Sequence, residues 1–154
     1  MKYFILCTAM LALLTVGASA QNRPEVGLQK AEQLKQSPAG QKGIALIHAI
    51  NTGSEAFTKD LIGKTFSSTF VEAYGAEKLA KSLPNDIKKE MGSLVLYQVY
   101  RKSKLELVYT LKGSKGSWLQ LEVHHESNAP YKIKLLNMVM DTPKPEGALS
   151  PMNI

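Results

Sequence analysis

Two hydrophobic rhythms divide this chain, and the change between them falls at Gly92. Before it, apolar residues recur at three- and four-residue steps, the period of a helix with one buried face. Leu28, Ala31 and Leu34 share such a face and predict a helical stretch over 28–36, after a short mobile lead-in over 21–27. Ser37-Pro38 then reads as an N-cap followed by proline at the first helical position. The helix it opens presents Ile44, Ile47 and Ile50, with Leu46 widening the stripe, and Gly53 supplies a left-handed stop. Ser54 is expected to cap the next helix, which offers Phe57, Leu61 and Ile62 to a core. Residues 63–70 are poor in helix formers and read as an irregular crossing with two buried phenylalanines, before a helical turn at 71–74. Leu79, Leu83, Ile87 and Met91 follow at four-residue steps, and Pro84 is expected to bend or split their helix.

Beyond Gly92 the period becomes two. Strands are predicted over 94–101, 105–112, 118–126 and 131–140. In the second, Leu105, Leu107, Tyr109 and Leu111 oppose Glu106, Thr110 and Lys112; in the third, Leu119, Leu121 and Val123 oppose Gln120, Glu122 and His124. One-sided alternation of this kind belongs to an antiparallel sheet with one covered face. The linkers at 102–104, 113–117 and 127–130 are too short for parallel crossovers, so the strands form a meander. The fold class expected is therefore α+β, N-terminal helices packed on a curved four-stranded antiparallel sheet. From Thr142 onward, Pro143, Pro145, Gly147 and Pro151 read as an extended, loose tail.

The first twenty residues follow a different rule. Lys2 precedes an apolar run from Tyr3 to Val16, and Ala18-Ser19-Ala20 closes it with small residues at cleavage spacing. This is the layout of a secretory signal peptide, with cleavage expected after Ala20. The run is shorter than the roughly 20 apolar residues of a spanning helix. Cys7 sits early within it, away from the position a lipid anchor requires. The protein is thus expected to be exported, periplasmic or secreted, with no transmembrane segment once the leader is gone. Cys7 is the only cysteine, so the mature chain has no disulfide or thiol chemistry. The domain plan is a signal peptide over 1–20, a lead-in and short helix over 21–37, one domain over 38–141 and a Pro-rich tail over 142–154.

Removal of 20 of the 154 residues leaves 134, enough for one core. The net charge of +6 falls to +5 with the loss of Lys2. Of the 19 basic residues only Arg23 and Arg101 are arginine, and scattered lysine marks a solvated surface rather than a phosphate reader. No basic-aromatic stripe accompanies it, so nucleic acid is not an expected partner.

Catalytic chemistry finds little purchase. His124 and His125 are adjacent on a strand and face opposite sides of the sheet, so they cannot share a metal. His48 reads as core-edge packing. No metal-ligand spacing occurs, and no cofactor is expected. The serines stand in turns, without a nucleophile elbow or a Ser-x-x-Lys site. Among Asp60, Asp86 and Asp141, Asp60 is the best acid-base candidate because Leu61 and Ile62 adjoin it, although Lys64 four residues on favours a surface ion pair. The aromatics Phe66, Phe70, Tyr97, Tyr109, Trp118 and Tyr131 are the candidate pocket-lining residues, if they converge; a filled core with tyrosine hydroxyls at its rim is the alternative.

The run 44–54, with its hydrophobic helix, Asn51, Thr52, Gly53 and Ser54, resembles the opening of NTF2-like domains of the cystatin-like fold. Gly92 to Val99, Gly116 to Leu121 and Pro130 to Ile133 are similar to the accessory region that precedes serine hydrolase or peptidase domains in exported Bacteroidetes proteins. The resemblance covers roughly 38–140 and rests on core and turn positions. It implies a cone-shaped fold and a non-catalytic binding role toward a partner protein, an envelope polymer or a small apolar ligand, and it leaves a homodimer open. It carries over no catalytic residue. The superfamily's hairpin between the second and third helices has little room here, and the relatives continue past a Pro-rich linker into a catalytic domain. The alternatives are a small isomerase or cyclase working through a pocket Asp or His, and the remnant of a longer hydrolase.

Overall fold

The computed structural model describes residues 23–146 and 150–154. The expected leader lies outside the described residues. Among the described residues five helices pack with one four-stranded antiparallel sheet, an α+β architecture. No helix among the described residues is long and apolar enough to cross a membrane.

Helix α1 (Arg23–Gln36) begins several residues before the expected Leu28, taking in the segment read as a lead-in. Helix α2 (Pro38–Thr52) starts as its sequence requires: the Ser37 hydroxyl accepts from the Gly40 amide, and Pro38 occupies the first turn. It ends at Gly53, whose φ of 118° a side chain would resist. Ser54 opens only a 3-10 turn to Ala56 rather than the next helix. Thr58 instead caps α3 (Lys59–Thr65), since its hydroxyl reaches the Leu61 amide. The expected crossing over 63–70 is thereby corrected. Its first part belongs to α3 and its last to α4 (Ser68–Tyr74), with only Phe66 and Ser67 between them extended. Both phenylalanines are buried, as their surroundings predict.

Helix α5 (Ala76–Met91) runs through Pro84 as one element, so of the expected bend or split the split does not occur. Its apolar residues Leu79, Leu83, Ile87 and Met91 are all buried, on both sides of the proline. Each such side chain contributes about 1.5–3 kcal/mol of burial, comparable to the roughly 3 kcal/mol that an interior proline costs. Packing therefore holds the helix together where propensity alone would break it.

The sheet order is β1 (Leu94–Ser103), β2 (Glu106–Gly113), β3 (Trp118–His125), β4 (Ile133–Met140), each antiparallel to the next. A register shift between Leu96 and Gln98 puts Val99, not Gln98, back on the inner face opposite Tyr109. The inner face carries Leu107, Tyr109, Leu111, Leu119, Leu121 and Val123, all 1% exposed or less. Tyr109 lies against α2: its hydroxyl donates to the Gly40 carbonyl at 3.1 Å, and a Cβ at Gly43 would overlap its ring. Asn51, at the end of α2, bonds both the amide and the carbonyl of Leu94 and so seats the edge of β1.

Two expectations change. The second strand was read as having one covered face, but Val108, Thr110 and Glu106 on its outer side are buried too. Being central, β2 is roofed by its cross-strand neighbours: Tyr100 and Glu122 flank Val108, and Gln98 and Gln120 flank Thr110. Nor is the tail loose throughout. Met152 is buried, and its amide donates to the Leu96 carbonyl at 2.7 Å, laying the C-terminus along the free edge of β1.

Candidate functional site

At one end of the sheet the inner face is not filled by helix. There β1 brings Arg101 near its end, the β1–β2 turn brings Lys104 and Leu105, β3 ends at His125, and the first turn of α2 closes the side with Ser37, Pro38 and Ala39. Glu126, Ser127 and Tyr131 from the β3–β4 connection complete a pocket of about 320 Å³, with Leu107 in its wall. That volume lies at the small end of ligand pockets.

Strand register explains the gathering. Arg101 pairs with Leu107, and Leu107 with Val123, so all three project from the inner face. His125 is the next inner-face residue after Val123. Tyr131 has a φ of 54°, in the left-handed region that a bulky residue rarely adopts, with its amide bonded to the Asn128 carbonyl. That backbone conformation places it at the pocket rim.

His125 is the unusual member. It is only 2% exposed, yet neither ring nitrogen has a hydrogen-bond partner. Buried polar groups are nearly always satisfied, and an exception calls for an explanation. Burial holds its pKa below the ordinary 6.5. The backbone carbonyls of Leu105 and Ala39 act in the opposite direction, but neither makes a hydrogen bond of ordinary geometry with the ring, so burial dominates. The charges of His124 and Arg101 push the same way as burial. The imidazole is therefore neutral near pH 7, with one nitrogen able to donate and the other to accept.

The adjacent His124 is on the outer face in different company. Its Nε2 is 3.4 Å from a Glu106 carboxylate oxygen, and Lys102 is 3.1 Å from the same oxygen and 2.8 Å from Glu122. Asn137 donates to the other Glu122 oxygen at 3.0 Å. Hydrogen bonds from Lys102, then Asn137, hold the Glu122 carboxyl below its ordinary value. This is an ion-pair network reaching from the surface at Lys102 to the buried Glu106, whose Oε1 has charged neighbours but no hydrogen bond of ordinary geometry. Among the described residues no group of three His, Cys, Asp or Glu side chains is arranged to hold a metal.

No protein-family model, curated protein or solved structure matches the chain. The residues themselves carry what can be said.

The aromatic candidates divide into four groups and do not converge. Phe66 and Phe70 stack at 5.3 Å in the core, and Phe70 stacks on Tyr74 at 4.9 Å. Tyr109 is buried against α2, where desolvation raises its pKa. Tyr97 and Trp118 meet edge to face on the outer surface, with Lys112 over the indole. Of the six, Tyr131 alone reaches the pocket beside His125; Tyr97 borders a separate open depression with Val95 and Lys112. Asp60 is exposed and paired with Lys64 at 2.7 Å, which takes it out of any pocket. His48 is exposed on α2. Arg101 and Lys104 went unread in the sequence, because the shift in β1 conceals that Arg101 shares the inner face with Val99.

Proposed function

We propose that the protein is an exported, non-catalytic binding module of the NTF2-like kind, taking a small and largely apolar ligand in the pocket that ends at His125. The observation that carries this reading is the buried, unpartnered imidazole at the wall of a ligand-sized pocket. A polar group left without partners in a folded core costs about 1–3 kcal/mol. A ligand that hydrogen-bonds the ring removes that cost on binding. The helices-then-meander order and the α+β layering support the family reading. A non-catalytic role is favoured because no carboxylate orients His125, whereas a histidine base in catalysis is ordinarily fixed by such a partner.

A proton-transfer enzyme is the second reading, favoured by the depressed pKa that keeps His125 in its basic form near neutrality. One experiment separates the two. A fragment set of small apolar molecules, including ketones with exchangeable α-protons, is followed by NMR on the mature protein. Resonance shifts at His125 and Tyr131 without proton exchange support binding alone. Exchange that depends on His125 establishes the second reading, and no shift at either residue overturns both.

A further inference from the structure

We propose that the pocket binds the carboxylate end of a small organic monoacid, whose apolar body lies along Leu105 and Leu107, and that binding places a proton on His125. The proposal rests on the binding-module reading and names the chemistry of its ligand. Three separate features converge. Arg101 and Lys104 bring two cationic side chains to the pocket from β1 and the β1–β2 turn. The 15-residue α2 points its N-terminal end at the same space through Ser37, Pro38 and Ala39, and that end of a helix is positive. His125 lies between them, 2% exposed and with both nitrogens unpartnered.

The apolar residues in the wall and the pocket's volume suit a body of roughly ten to fifteen heavy atoms. Glu126 also lines the pocket and opposes a second negative charge, which favours a carboxylate over a phosphate dianion. Arg101 uses Nη1 on the Lys104 carbonyl at 2.8 Å, which steadies the guanidinium while its other donors remain for the ligand.

Proton uptake follows from the electrostatics. In the free protein burial, aided by the charges of His124 and Arg101, outweighs the Leu105 and Ala39 carbonyls and disfavours the imidazolium. A carboxylate placed beside the ring reverses this, because an opposite charge at close range favours the charged form. The bound-state pKa of His125 then exceeds its free-state value. Affinity rises as the pH falls below the bound value and levels off below the free one. The other titratable groups at the pocket are Lys104 from the turn and Glu126 and Tyr131 from the β3–β4 connection; the start of α2 contributes none.

The test is titration calorimetry of the mature protein with phenylbutyrate and with its uncharged amide, at about pH 5.5 and about pH 8, in buffers of different ionisation heat. Phenylbutyrate is expected to bind about tenfold more tightly at the lower pH, with about one proton taken up at intermediate pH, while the amide binds weakly and without pH dependence. Arg101→Gln, a change at an exposed position, should weaken phenylbutyrate binding by about tenfold and leave the amide and the melting temperature unchanged. If acid and amide bind equally and independently of pH, the carboxylate proposal falls and the binding module stands. If neither binds, both fall.

Discussion

His124 and His125 are neighbours in the chain, yet they belong to two different parts of the molecule. The outer one stands 3.4 Å from a carboxylate in a network in which Lys102, Glu106, Glu122 and Asn137 answer one another. The inner one is enclosed at a pocket wall with nothing bonded to either nitrogen. On the outer face opposite charges pair with one another, whereas the inner face is covered by helices over much of its area and opens at its Arg101–His125 end. In the outer network opposite charges compensate one another. An enclosed imidazole without a hydrogen bond of ordinary geometry gains one when a suitable ligand arrives.

The largest expected effect tests the two faces directly. Leu121→Asp introduces a charge on the inner face, at a position 0% exposed, and should unfold the domain. The cost of several kcal/mol is comparable to a typical total stability of roughly 5–15 kcal/mol. Glu122→Ala, the next residue, should change stability by less than about 1 kcal/mol, since the ion pair lost is partly exposed and Lys102 keeps Glu106 as a partner. Urea denaturation of both variants measures the contrast, and equal midpoints would erase it.

A smaller effect distinguishes the two histidines by pH. The folded-state pKa of His125 is depressed, so the unfolded chain binds the proton more readily than the folded one. The stability that this contributes is present above the ordinary value of 6.5 and is lost as the pH falls from there through the folded-state pKa. His125→Leu should therefore flatten the acid side of a plot of melting temperature against pH, and a variant as acid-sensitive as the wild type would place the titrating group elsewhere. The smallest effect is local to the network. Lys102→Met removes the strongest influence on Glu122, whose carboxyl should then titrate closer to its ordinary 4.5. A carbon-detected NMR titration reads this directly, and an unmoved Glu122 would mean that Lys102 does not hold it.

The sequence by itself determined the helix-to-strand switch at Gly92, the four-strand meander, the Ser37 cap and the opposite facing of His124 and His125. Each of these follows from short-range stereochemistry: a 3.6-residue period, a two-residue period, linkers too short for crossovers, and a hydroxyl three residues from the amide it caps. Only the tertiary structure decided that Pro84 lies within one helix, that Met152 returns to β1, that β2 is buried on both faces, and that the aromatic candidates separate into four groups. The pocket belongs to the same class, since Ser37, Arg101 and His125 come from three distant parts of the chain. The register shift after Leu96 sets which of β1's last residues face inward, and only β1's pairing with β2 displays it. Burial depends on what the rest of the chain places over a side chain, and a one-dimensional pattern carries the facing of a residue but not its cover.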